Sequence, residues 1–127
     1  MERTVLVVDD SKLARMVVNG IVRRTRPDWN TVEAASAGQA LQILGNGSVD
    51  IVLIDFNMPE MDGLALTARI RESHPDVPIA IVSANAQDPI IAKARSLDAA
   101  FLEKPLNDEA LASFLSGAAL RLRRGSS

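Results

Sequence analysis

Short apolar runs recur along the chain at spacings that suit buried strands. Val5–Val8, Ile51–Ile54 and Ile79–Val82 are continuous and rich in β-branched residues, the pattern of strands covered on both faces. Thr31–Ala35 and Ala99–Leu102 are weaker runs of the same kind. Between them the apolar period lengthens to that of a helix. Leu13, Met16, Val17, Gly20 and Ile21 define a first stripe, and Ala40, Leu41 and Leu44 a second. Leu66 and Ile70 form a shorter third, and Ile90, Ile91 and Ala94 a fourth. Leu111, Phe114, Leu115, Ala118 and Leu122 form the last. The punctuation agrees: Gly45 and Gly47 can stop the second helix, and Asn107 can cap the last. His74-Pro75 ends the third, because a residue before proline disfavours the helical region.

Five strands alternating with five helices predict an α/β fold: a parallel, doubly wound sheet with right-handed crossovers. Its 127 residues suffice for one domain with one core, and no internal repeat or low-complexity tract divides them. Only Arg123–Ser127 reads as loose.

Composition narrows the function classes. Aromatics are 3% of residues, so the core is aliphatic. A net charge of −2, from 14 basic and 16 acidic residues, gives bulk nucleic-acid binding no support. The absence of cysteine excludes disulfides, thiolate catalysis and cysteine metal sites. No apolar run reaches membrane-spanning length and MERT does not open a signal peptide, so the expected location is cytoplasmic, with no membrane partner.

Four strands end on groups that a core strand does not need. Asp9 and Asp10 follow the first, Asp55 ends the third and Lys104-Pro105 follows the fifth; Ser83 ends the fourth. Sites in open α/β sheets form beyond the carboxyl ends of the strands, where strand order reverses. If strands one and three are neighbours, all five side chains point at one crevice. Two like charges ~4 Å apart repel by about 4 kcal/mol at an effective dielectric near 20. Three carboxylates therefore call for a cation or a raised pKa. Mg²⁺, which takes carboxylates, waters and phosphate oxygens, fits; Mn²⁺ is the alternative.

VLVVDDS at the first strand, DFNMPEMDG after the third, VSA at the fourth and FLEKP at the fifth together resemble the bacterial response-regulator receiver domain, the CheY-like family. The resemblance covers about Thr4 to Leu122. It implies a five-stranded sheet of flavodoxin-like order 2-1-3-4-5, a receiver over residues 1–122, and a tail over 123–127 that starts a linker or was left by cloning. It implies that Asp55 is the phosphoacceptor, that Asp9 and Asp10 hold Mg²⁺ with Asp55, and that the backbone carbonyl of Asn57 completes the metal site. Ser83, with Ala84, matches the position that senses the phosphoryl group. Lys104 matches the lysine that contacts it, across a bond to Pro105 that is usually cis, and Phe101 matches the switch aromatic. Asn57 and Asn85 flank the expected path of the dephosphorylating water. The implied partners are a sensor histidine kinase or histidine phosphotransfer protein and a downstream output domain or target. The protein would be a switch, not an enzyme on other substrates, that catalyses its own phosphoryl transfer and dephosphorylation.

Leu97-Asp98 stands where the family has Gly-Ala, and the segment after Ser83 is about one residue shorter than in the chemotaxis regulator. Other readings are weaker. Asp9 or Asp10 could cap the first helix, as Ser11 also could, but capping explains only one acid. Glu60 and Asp62 suit turn and cap positions, and His74 suits a helix end rather than a phosphodonor. A dehalogenase-type phosphohydrolase needs a second Asp where Asn57 stands, and a cap domain. A calcium loop fails at Pro59-Glu60. Phosphate-binding glycine motifs are absent. A degenerate receiver conflicts with intact Asp10, Asp55 and Lys104.

Overall fold

The computed structural model describes residues 2–125. Strands β1 (Thr4–Val8), β2 (Asn30–Ala34), β3 (Ile51–Asp55), β4 (Ile79–Ser83) and β5 (Ala100–Glu103) alternate with five helices. These are α1 (Lys12–Thr25), α2 (Ala37–Gly45), α3 (Gly63–Ser73), α4 (Asp88–Ser96) and α5 (Asp108–Gly125). The sheet is parallel throughout, in the order β2-β1-β3-β4-β5, as the resemblance implied. β1 and β3 are therefore neighbours, with Val8 level with Ile54. The weaker strands are displaced from expectation by one residue: β2 ends at Ala34, and β5 runs from Ala100 to Glu103.

β1, β3 and β4 read as nearly unbroken apolar runs because both of their faces are covered. Successive side chains alternate between the faces. Val5, Val7, Ile51 and Leu53 pack with Ile21 and Val22 of α1 and Leu111 and Leu115 of α5. Leu6, Val8, Val52 and Ile54 pack with Ala40 and Leu44 of α2 and Leu66 and Ile70 of α3. Ser11, Ser36, Asp62 and Asn107 accept N–H bonds at the starts of α1, α2, α3 and α5. α2 ends at Gly45, followed by Gly47 at φ +75°, a conformation glycine adopts without strain.

The helix expected from the α1 stripe is present, but its first half is exposed: Leu13 is 71% exposed, Met16 58% and Val17 53%. From α1, Ile21 and Val22 are buried in the core cluster and Val18 packs against it. Arg123 and Arg124 are not loose but lie in α5, which runs to Gly125; Ser126 and Ser127 lie outside the described residues.

The Leu97-Asp98 departure is accommodated by a neighbour. Asp98 takes φ +56°, in the left-handed region that glycine enters more readily. Arg71 of α3 braces this turn, donating to the carbonyls of Leu97 (2.8 Å) and Asp98 (2.9 Å) and to those of His74 and Val77. Arg121 of α5 pairs with the Asp98 carboxylate at 3.1 Å.

Candidate functional site

The carboxyl ends of β1 and β3 meet at the centre of the sheet. There Asp9, Asp10 and Asp55 each bring a carboxylate oxygen within 4.8 Å of the others. Asp9 and Asp55 are buried and Asp10 is exposed, so the cluster opens to solvent on one side. Asp9 is fixed twice: its N–H donates to the Ala34 carbonyl at 3.1 Å, and its Oδ1 accepts the Ser11 N–H at 2.9 Å. Burial raises the Asp9 pKa above the usual carboxylate value. The Ser11 bond opposes that rise, nearby Asp55 adds to it, Lys104 opposes it and Asp10 adds to it.

Lys104 reaches over from the end of β5, where its Nζ donates to Asp55 Oδ1 at 2.7 Å. The Lys104 side chain is 37% exposed and that of Asp55 6%, so the ammonium lies between the buried carboxylate and solvent. The Lys104–Pro105 peptide is cis. Ser83 is buried beside Asp55, one residue beyond Val82, which pairs with Asp55 in register. Its hydroxyl is not on Asp55: Oγ accepts the N–H of Asn85 at 3.0 Å. Asn57, Ala84 and Asn85 are exposed in the two loops that follow β3 and β4. Phe101 is half-buried on β5, level with Ile81 of β4.

Two further residues shape the site, and neither stood out in the sequence. Gly63 starts α3 directly under the end of β3. A Cβ there would lie 2.9 Å from the Asp55 carbonyl oxygen and 3.0 Å from the Phe56 Cα. The Gly63 N–H also donates to the Phe56 carbonyl at 2.9 Å. The Asp-Gly pair at 62–63 was the available signal, but it reads equally as a turn. Arg15, on α1, donates from Nε to Glu33 Oε1 at 2.8 Å and from Nη1 to the Asp9 carbonyl at 2.6 Å. A wide apolar groove of about 560 Å³ adjoins the carboxylates, with Leu13, Val17, Pro105 and Leu106 among its walls.

The chemistry of the donor set fits a hard divalent cation. Converging carboxylates with an open side offer oxygen ligands and leave room for water, as Mg²⁺ requires. A central acidic pocket at the carboxyl edge of a 2-1-3-4-5 sheet, with a lysine on one carboxylate, is the arrangement that the receiver-domain resemblance implied. The chain belongs to the response regulator receiver domain family, whose model matches residues 5–116. Among curated relatives, the sensor kinase CckA of Brucella abortus is 44% identical over 117 residues, which is 87% of this chain and 12% of that protein. The cyclic di-GMP phosphodiesterase response regulator RpfG of Xanthomonas campestris is 32% identical over 96% of this chain and 33% of its own length. The chain thus spans about a third or less of either relative. The chemotaxis protein CheY4 of Vibrio cholerae superposes with a TM-score of 0.84 at 25% identity, covering 93% of this chain and 99% of that one. This is a receiver domain of two-component signalling. Among the described residues, no helix is long and apolar enough to cross a membrane.

Proposed function

We propose that Asp55 accepts a phosphoryl group from a histidine kinase or histidine phosphotransfer protein, and that the resulting acyl phosphate resets the surface around Ser83, Phe101 and α4. The observation that carries this reading is the buried Asp55 carboxylate, clustered with Asp9 and Asp10 and held by Lys104. A carboxylate oxygen of Asp55 attacks phosphorus, the phosphorus–nitrogen bond of the donor breaks, and the imidazole leaves with the electron pair. Asp9, Asp10, Asp55 and the carbonyl of Asn57 would hold Mg²⁺, which when bound neutralises charge on the transferring group. Lys104 already pairs with Asp55, so its ammonium is in place to follow the negative charge onto a phosphoryl oxygen. Attack by water, past Asn57 and Asn85, returns the carboxylate and inorganic phosphate.

The hydrogen bond at Ser83 suggests how the signal leaves the site. Its Oγ accepts from Asn85 N–H while its own proton remains available to a phosphoryl oxygen. Pulling Ser83 inward then draws on the 84–87 loop and on the start of α4, whose N-cap residue Gln87 makes no capping bond through its side chain. Only contacts that differ between two states shift their balance. Phe101, on the neighbouring strand, fills the space that Ser83 vacates.

The exposed apolar residues of α1 suit the donor. Leu13 and Val17 line the groove that leads to Asp55, and Met16 is exposed next to Val17 on the same helix, so a docked helix would bring a phosphohistidine to the carboxylate. Met16→Asp should leave labelling by acetyl phosphate intact and suppress transfer from a phosphohistidine protein. The receiver acts in the cytoplasm, and its output resides in a further domain or a separate target. Addition of beryllofluoride, a phosphoryl mimic, with Mg²⁺ tests the switch by NMR. Shifts should spread from Asp55 to Ser83, Phe101 and α4; shifts confined to the acidic pocket would refute it.

A further inference from the structure

Arg15 is the one cation of α1 whose bonds reach the backbone of the acidic loop. Its side chain is only 13% exposed, against 43% for its partner Glu33. One edge of the guanidinium fork holds Glu33 on β2, and the other holds the carbonyl of Asp9. We propose that Arg15 is a positioning residue for the metal site: it fixes the Asp9–Asp10 peptide and thereby aims the Asp10 carboxylate. This rests on the reading of Asp9, Asp10 and Asp55 as a metal site.

The argument runs through the planar peptide. Holding the Asp9 carbonyl fixes the plane that contains the Asp10 nitrogen and Cα. Asp9 has its own anchors, the Ser11 N–H on its carboxylate and the Ala34 carbonyl on its N–H. Asp10 is exposed, so its direction comes from the backbone that carries it. Glu33 keeps the fork from swinging away, so α1 and β2 together brace the loop between β1 and α1. Outer groups that orient ligands in this way typically change metal affinity by ~10- to 100-fold when removed.

A rival role for Arg15 is that of a simple counter-charge to the acids, and it predicts the opposite sign. A cation beside a cation site weakens metal binding, so deleting it would tighten the site. Deleting a brace loosens it.

Mn²⁺ binding, read from the electron paramagnetic resonance of the free ion, distinguishes the two in wild type, Arg15→Ala, Arg15→Gln, Arg15→Lys and Glu33→Gln. Asp10→Asn serves as the site control. The Ala and Gln variants should bind Mn²⁺ ~10-fold more weakly, at the low end of the outer-group range. Arg15→Lys should recover part of the loss, because its ammonium can still donate a hydrogen bond but lacks the two-pronged fork that spans Glu33 and the Asp9 carbonyl. Glu33→Gln should show a smaller loss in the same direction and serves if the Arg15 variants fail to fold. At saturating Mg²⁺, phosphorylation of Arg15→Lys by acetyl phosphate should approach the wild-type rate, because the defect lies in metal affinity. Unchanged or tighter Mn²⁺ binding in Arg15→Ala and Arg15→Gln, or in Glu33→Gln if those do not fold, would overturn the proposal. Wild type that binds no Mn²⁺, or Asp10→Asn that binds it undiminished, would overturn the metal-site reading itself.

Discussion

Replacing Asp10 by Asn should raise the stability of the metal-free protein and remove most of its response to Mg²⁺. The carboxylate oxygens of Asp9, Asp10 and Asp55 all lie within 4.8 Å of one another. At that separation each like-charge pair costs about 0.9 kcal/mol in a water-like dielectric and about 3.5 kcal/mol at an effective dielectric of 20. Asp10 is exposed, which places its two pairs near the lower figure, and Lys104 offsets part of the remainder. The net gain for Asp10→Asn without metal is therefore on the order of 1 kcal/mol, or roughly 4 °C in Tm for a domain of this size. Magnesium at a hundred times its dissociation constant should stabilise wild type by about 2.7 kcal/mol through binding only the folded state. Thermal unfolding followed by circular dichroism, with EDTA and across a Mg²⁺ series, measures both quantities. Asp10→Asn should start higher and stay nearly flat, while wild type climbs past it. A variant that melts lower without metal, yet still responds to Mg²⁺ like wild type, would refute the electrostatic reasoning.

Ser83→Ala and Lys104→Met should still accept phosphate from a small donor, more slowly for Lys104→Met, yet show weakened beryllofluoride shifts at Phe101 and α4; a full wild-type response in both would place the coupling elsewhere. Gly63→Ala forces a Cβ to 2.9 Å from the Asp55 carbonyl oxygen, so it should destabilise by about 1–3 kcal/mol in denaturant titration, and a neutral effect would contradict the close packing. The raised pKa of Asp9 means that the folded state holds its proton to higher pH than the unfolded chain does. Metal-free stability should therefore fall as pH rises from the usual carboxylate value through the raised one, and Asp9→Asn should flatten that fall in Tm-versus-pH curves.

The fold was legible where burial is two-sided. β1, β3 and β4 are covered on both faces, so their sequences are plain apolar runs and their ends are marked by acids and Ser83. β2 and β5 lie at the sheet edges and carry Glu33, Asn30 and Glu103, which blurs their limits by a residue. The meeting of Asp9, Asp10, Asp55 and Lys104 was also legible, because parallel strands bring their carboxyl ends to one edge. The exposure of Leu13, Met16 and Val17 was not, since helical spacing reports an apolar face without saying what covers it. The bonds of Arg71, and that of Arg15 to Asp9, were hidden for a different reason: they end on backbone carbonyls, which every residue carries. Gly63 depends on a close approach to Asp55 and Phe56, a tertiary fact that the Asp-Gly pair at 62–63 does not distinguish from an ordinary turn. The bond from Asn85 N–H to the Ser83 hydroxyl is likewise a matter of loop geometry.

The central claim is that Asp55 is the phosphoacceptor and that its reaction needs a divalent cation. Incubation with acetyl phosphate and Mg²⁺, followed at once by intact-mass spectrometry, tests it most directly. Wild type should gain the mass of one phosphoryl group, and that gain should vanish with EDTA and in Asp55→Asn. A gain of the same size in Asp55→Asn, or one indifferent to EDTA, would contradict the account.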